Sequence, residues 1–98
     1  MSAIVLFVEL EIVPGKRDAF LARAQKHRER VLEHEPGCQR FDISVPEEGE
    51  NAVRLYEVYA DQAAFDLHME TGYMKAYRAD TGPMIANRSR TLAALANG

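Results

Sequence analysis

From Ile4 to Val13 the chain reads IVLFVELEIV, and alternate positions separate into two sets. Ile4, Leu6, Val8, Leu10 and Ile12 are all apolar, whereas Val5, Phe7 and Val13 share their set with Glu9 and Glu11. Period-two alternation among β-branched residues predicts a strand over 4–13 with one face fully buried and the other partly so. Pro14-Gly15 ends it. The period then lengthens. Phe20, Ala24, His27 and Val31 recur at the i, i+4, i+7, i+11 spacing of one helix face, which predicts a helix over 16–35. Glu35-Pro36-Gly37 stops that helix. Proline disfavours the helical conformation of the residue before it, and glycine is expected to take a left-handed turn.

Residues 38–45, CQRFDISV, set Phe41, Ile43 and Val45 against Arg40, Asp42 and Ser44, the pattern of a half-buried strand. PEEGEN, 46–51, is a polar loop, and AVRLYEVYA, 52–60, reads as a third strand. Asp61 suits the N-cap of a second helix over about 61–80. Gly82-Pro83 follows, and ANRSRTLAAL, about 86–95, reads as a weak fourth strand that would also suit a helix. The order β-α-β-β-α-β predicts a ferredoxin-like α+β fold, one four-stranded antiparallel sheet with two helices on one face. The sheet's other face, carrying Val5, Phe7 and Val13, needs a cover. A second copy supplies it, which predicts a homodimer of face-to-face sheets, a dimeric α/β barrel.

Composition narrows the class. Ninety-eight residues, 47% hydrophobic and 28% charged, fit one globular domain over 1–98. The net charge of −3, with scattered Lys and Arg, offers no basic stripe for nucleic acid. One cysteine, Cys38, excludes an internal disulfide and suits a reducing compartment. The longest apolar run, Ala3–Val8, is too short to span a membrane, and no positive segment precedes it as in a secretory signal. The expected location is cytoplasmic.

Neither GxGxxG, a P-loop, HExxH nor CxxC occurs, and three dispersed histidines lack metal-site spacing. No metal or cofactor is expected. Three polar residues interrupt apolar faces. His27 lies on the stripe of the first helix, either as a core-edge histidine or as a pocket acid or base. Glu57 sits mid-strand with Leu55 and Tyr59 on its face, either bridged to Arg40 across the hairpin or lining a cavity. His68 falls inside a broad apolar arc of the second helix. Phe41, Tyr56 and Tyr73, with other aromatics, are core material or the walls of a pocket for a flat substrate. Cys38 reads as a small hydrophobe.

Taken together, "VPGK", "EPGCQRFDI", the acidic loop, "LYEVYADQAAFDLH" and "METGYMKAY" resemble the antibiotic biosynthesis monooxygenase domain family over nearly all of residues 3–92. That family includes quinol monooxygenases and the isomerase of phosphorylated autoinducer-2. The resemblance implies a ferredoxin-like protomer that dimerises through its sheets, with a pocket between helices and sheet. It implies that Glu57 and His68 are polar residues of that pocket. The chain departs from the family at Arg28 and Leu32, where Asn and Ser are frequent, and at Gly72-Tyr73, where a second histidine often follows the threonine. It has no Trp, on which the haem-degrading relatives depend.

The expected activity is a cofactor-independent oxygenation of a small phenolic or quinol substrate by O₂. A deprotonated quinol is electron-rich enough to reduce O₂ itself, so the protein need only bind it, take its proton and exclude water. His68 is the candidate base, with His27 as the other candidate, and Glu57 would orient or charge-stabilise it. His27, Phe41, Tyr56 and Tyr73 are the candidate substrate-pocket residues. Two alternatives stand beside this reading: isomerisation of a small carbonyl compound in the same pocket, and a non-enzymatic dimer that binds a small ligand.

Overall fold

The computed structural model describes residues 2–97; Met1 and Gly98, the two ends of the expected domain, lie outside the described residues. The elements are β1 (Ile4–Ile12), α1 (Arg17–His34), β2 (Cys38–Ser44), β3 (Ala52–Tyr59), α2 (Gln62–Glu70), α3 (Gly72–Thr81), a 3₁₀ turn at Gly82–Met84 and β4 (Ile85–Ala94). The strands form one sheet in the order β2-β3-β1-β4, and every neighbouring pair is antiparallel. This is the ferredoxin-like arrangement, and the segment that could also have been a helix is its edge strand β4.

The alternation in β1 does what its pattern requires. Leu6, Val8, Leu10 and Ile12 are buried and pack with Phe20, Ala24 and Val31 of α1 and with Phe65 and Tyr77 of α2 and α3. All four stripe residues of α1 (Phe20, Ala24, His27 and Val31) are buried. A fully buried Phe, Leu or Ile side chain contributes about 1.5–3 kcal/mol, so this layer between helices and sheet carries the stability. On the open face of the sheet Val5 and Val58 form a smaller cluster with Ala3, flanked by Tyr56 and Leu95, while Phe7 remains 46% exposed.

Three local expectations change. The helix over about 61–80 is two helices. Asp61 caps α2 as its position suggests, accepting from the Ala64 N–H at 2.8 Å. Thr71 then leaves the helical region, with φ −66° and ψ 147°. Its hydroxyl donates to the His68 carbonyl at 2.9 Å and accepts from the Met74 N–H at 3.2 Å, so one side chain closes α2 and caps α3. Threonine competes for helical backbone groups and Gly72 is a poor helix former, which is the physical reason for the break. Secondly, Gly37 does not take a left-handed conformation; among the described residues the positive-φ glycines are Gly15 and Gly49. Gly37 serves close approach instead, since a Cβ there would sit 2.6 Å from the Ala64 Cβ. Thirdly, Glu57 makes no salt bridge with Arg40. The register pairs Glu57 with Phe41, while Arg40 projects on the other face and bonds Asp42.

Candidate active site

Pro36 begins the construction of the site. It forces Glu35 out of the helix into the extended region, with φ −117° and ψ 92°, while the Glu35 N–H still closes the last turn on Val31. The Glu35 side chain is 4% exposed. Its carboxylate accepts from His68 Nδ1, with its two oxygens at 3.0 and 3.1 Å, and from the Tyr73 hydroxyl. A carboxylate only accepts, so Nδ1 carries the imidazole proton and Nε2 keeps its lone pair. Each such bond to a buried charged group contributes about 1.5–3 kcal/mol.

His68 is 1% exposed. Burial lowers its pKa, opposed by the hydrogen bond and the charge of Glu35, with a smaller lowering from Arg78. The imidazole is therefore neutral at neutral pH. Its Nε2 lies 4.0 Å from Glu57 Oε1. Glu57, 3% exposed on the helix side of β3, accepts a 2.6 Å hydrogen bond from the Tyr59 hydroxyl. Burial pushes its carboxyl up to about 7; the Tyr59 hydrogen bond opposes this and the charge of Glu35 adds to it. At neutral pH the carboxyl thus holds its proton far more readily than an ordinary glutamate. A neutral imidazole and a carboxyl of raised pKa stand side by side.

Both groups line one cavity of about 70 Å³ between the sheet and the helices. Its walls are otherwise mainly apolar, from Leu6, Val8 and Leu10 of β1 to Met69 and Met74 of the helices. On this measure one water needs about 10–15 Å³, so the space takes a small molecule. His27 and Phe41 also line it. His27 is 2% exposed, stacks on Tyr77 at 4.0 Å and 5°, and lies 5.7 Å from the His68 ring. Neither of its ring nitrogens has a hydrogen-bond partner among the described residues. Burial, then the charges of His68 and Arg23, lower its pKa to about 3, so His27 is neutral at neutral pH. A buried polar group without a partner costs about 1–3 kcal/mol, which a bound ligand would relieve.

The structure thus brings His68, Glu57, His27 and Phe41 to one cavity. It does not bring Tyr56 or Tyr73 there. Tyr56 is on the open face of the sheet, edge-on to Phe7 at 5.3 Å. Tyr73 lies behind the site, beside outer clefts it shares with Arg30, and its hydroxyl serves Glu35. Glu35 itself was legible only as a helix stop. Cys38 is buried with its thiol pushed up to about 11, chiefly by burial, which keeps it in the thiol form at neutral pH. Among the described residues no group of three or more His, Cys, Asp or Glu is placed to hold a metal ion, and no helix is long and apolar enough to cross a membrane.

Known proteins match this chain. A family model described as antibiotic biosynthesis monooxygenase matches residues 3–80. A Bacillus subtilis protein provisionally named monooxygenase YcnE is 30% identical over 79 residues, covering 78% of this chain and 79% of its own. An uncharacterized protein of Synechocystis sp. is 28% identical over 83 residues, or 85% of this chain; the chain spans only 56% of that relative's length. A crystal structure from Bacteroides thetaiotaomicron, provisionally described as an antibiotic biosynthesis monooxygenase, has a TM-score of 0.89 at 25% identity and covers 97% of this chain and 90% of its own. A Nitrosomonas europaea structure of the same provisional description, at 24% identity, shares the fold with a TM-score of 0.91 over 97% of this chain and 91% of its own.

Proposed function

The chain belongs to the antibiotic biosynthesis monooxygenase family, and from that premise we propose that it is a cofactor-independent monooxygenase acting on a small phenolic or quinol-type substrate. One observation carries the reading: a neutral imidazole whose Nδ1–H is fixed by buried Glu35, and whose Nε2 looks into an apolar cavity beside a carboxyl of raised pKa.

His68 Nε2 takes the proton of the substrate hydroxyl. Glu35 holds the ring in the base tautomer and stabilises the imidazolium that forms. The phenolate then transfers electrons to O₂. One oxygen atom joins a ring carbon, which gives up its hydrogen as a proton, and the other leaves as water; a phenol thereby yields the quinone and a 1,4-hydroquinone the hydroxyquinone. Glu57, able to hold or release a proton near neutrality, supplies or collects protons in the second half of the sequence. The apolar walls keep water from the reduced-oxygen intermediates. His27, with its free nitrogens, offers the substrate a hydrogen bond. Glu35 acts only through His68 and is a positioning residue. The apolar cluster around Val5, Val58 and exposed Phe7 supports a second copy packing on the open sheet face.

O₂ uptake with a panel of 1,4-hydroquinones tests the assignment. His68→Ala should cost on the order of 10²–10⁴ in rate. Glu35→Gln should lower kcat with little change in KM, and nitrogen NMR should show the His68 proton moving from Nδ1 toward Nε2. Full O₂ uptake by His68→Ala sinks the proposal. A neutral imidazole beside a carboxyl titrating near 7 would also serve a proton shift alpha to a carbonyl, and turnover of a carbonyl substrate under argon would favour that isomerase. Tight binding without turnover would favour the non-enzymatic module.

A further inference from the structure

Three arginines, Arg78, Arg88 and Arg90, line the same cavity as His68 and Glu57. Two come from β4, where Arg88 pairs with Leu10 and Arg90 with Val8. Val8 and Leu10 face the helices, so Arg88 and Arg90 stand on the cavity side of the edge strand rather than on the open face. The third comes from α3 and reaches Met69, its terminal nitrogen 4.0 Å from the sulfur. None of the three lies within ion-pair distance of a carboxylate among the described residues. Among the described residues, the close arginine–carboxylate pairs are Arg23–Asp80, Arg40–Asp42 and Arg54–Glu9. The strand carboxylates nearest in register, Glu9 and Glu11, are on the opposite face.

All three are solvent-exposed where they line the cavity, and Arg88 and Arg90 stand two residues apart on one strand face, so their guanidinium groups are free to close together on an anion. The protein carries an excess of acidic residues, 15 against 12 basic, and still leaves these three uncompensated. We infer that Arg78, Arg88 and Arg90 anchor an anionic group, a carboxylate or a phosphate, on the molecule that fills the cavity. This rests on the cavity being the reaction site, and it sets the substrate's orientation. The anionic end lies at the β4–α3 side and the hydroxyl that reacts points inward to His68 and Glu57. Guanidinium groups suit such an anchor because their planar fork meets both oxygens of a carboxylate or phosphate. Their field reaches inward: Arg78 acts to hold the His68 pKa down and Arg88 acts against the rise at Tyr77. Binding energy gained at this end is available to position the reacting end.

Three probes that share a phenyl ring test the inference: benzoate, phenyl phosphate and neutral benzyl alcohol. Each is titrated into the protein at low salt and followed by the arginine Nε–H and His68 ring resonances. At least one anion should bind roughly tenfold more tightly than the alcohol, the least that one hydrogen bond between charged groups provides. Which anion binds more tightly identifies carboxylate or phosphate. Arg88→Gln with Arg90→Gln should erase the preference, and Arg54→Gln, on the open face, should leave it. Added salt should weaken anion binding and spare the alcohol. If the alcohol binds as tightly as both anions, or if the preference survives the double substitution, the inference is wrong. None of these readouts requires turnover. A neutral quinol oxidised by a protein indifferent to both anions would keep the reaction and remove the anchor. An arginine-dependent anion site in a protein whose His68→Ala variant still consumes O₂ would do the reverse.

Discussion

Glutamine in place of Glu57 isolates the cost of the carboxyl buried in the sheet. In the folded protein burial pushes that carboxyl from its ordinary 4.5 to about 7. In the unfolded chain it titrates near 4.5. Between the two values the folded state holds a proton that the unfolded state has lost. The contribution to stability is therefore complete below about pH 4.5 and is lost as pH rises through 7. A separation of about two and a half pH units, at about 1.4 kcal/mol each, amounts to roughly 3 kcal/mol. The side chain is 3% exposed, so solvent screening does not reduce this figure. The glutamine side chain keeps the size of the original and an acceptor for the Tyr59 hydroxyl, and it does not titrate. Urea unfolding of both proteins at about pH 4, 6 and 8 gives the comparison. The variant's stability relative to the parent should rise by roughly 3 kcal/mol from the acid end to the alkaline end. His27 also titrates in this range, but it is common to both proteins and cancels in the difference. A difference that stays flat from about pH 4 to pH 8 would mean that Glu57 ionises as freely folded as unfolded. The cavity would then be wet and the proton-relay role of Glu57 untenable.

His27→Phe replaces an imidazole with no partner by an apolar ring. At neutral pH it should stabilise the fold by about 1–3 kcal/mol in urea unfolding. It should also remove the loss of stability that His27, with its folded pKa near 3 against 6.5 unfolded, causes as pH falls from 6.5 toward 3. Destabilisation at every pH would show that the nitrogens of His27 do find partners. Gly37→Ala should destabilise by about 1–3 kcal/mol, because a Cβ 2.6 Å from the Ala64 Cβ pushes α2 from the start of β2. It should also slow turnover by tilting the helix that carries His68, and an unchanged thermal midpoint would refute the close packing.

What the sequence disclosed divides along a physical line. The stripe of α1 and the alternation of β1 were legible because each depends on a backbone period that the chain states locally. Even the placement of Tyr56 outside the cavity was stated there: it adjoins Glu57 in a strand, and period two sends neighbours to opposite faces. The split at Thr71 was written more faintly, in one Thr-Gly pair. Glu35 was not written at all as a site residue. Its local signal, a helix stop before proline, is complete without a partner, and the partner it meets lies 33 residues further on. Yet the same stop makes the site possible. A glutamate earlier in the last turn of α1, such as Glu33, projects from the helix into solvent. The residue that proline expels from the helix turns its carboxylate instead onto the His68 ring of α2. Two buried carboxyls around one imidazole are costly to keep in a chain of this size. The fold bears that cost at a helix end and in mid-strand, the two places where the backbone and not the side chain decides which way a residue must face.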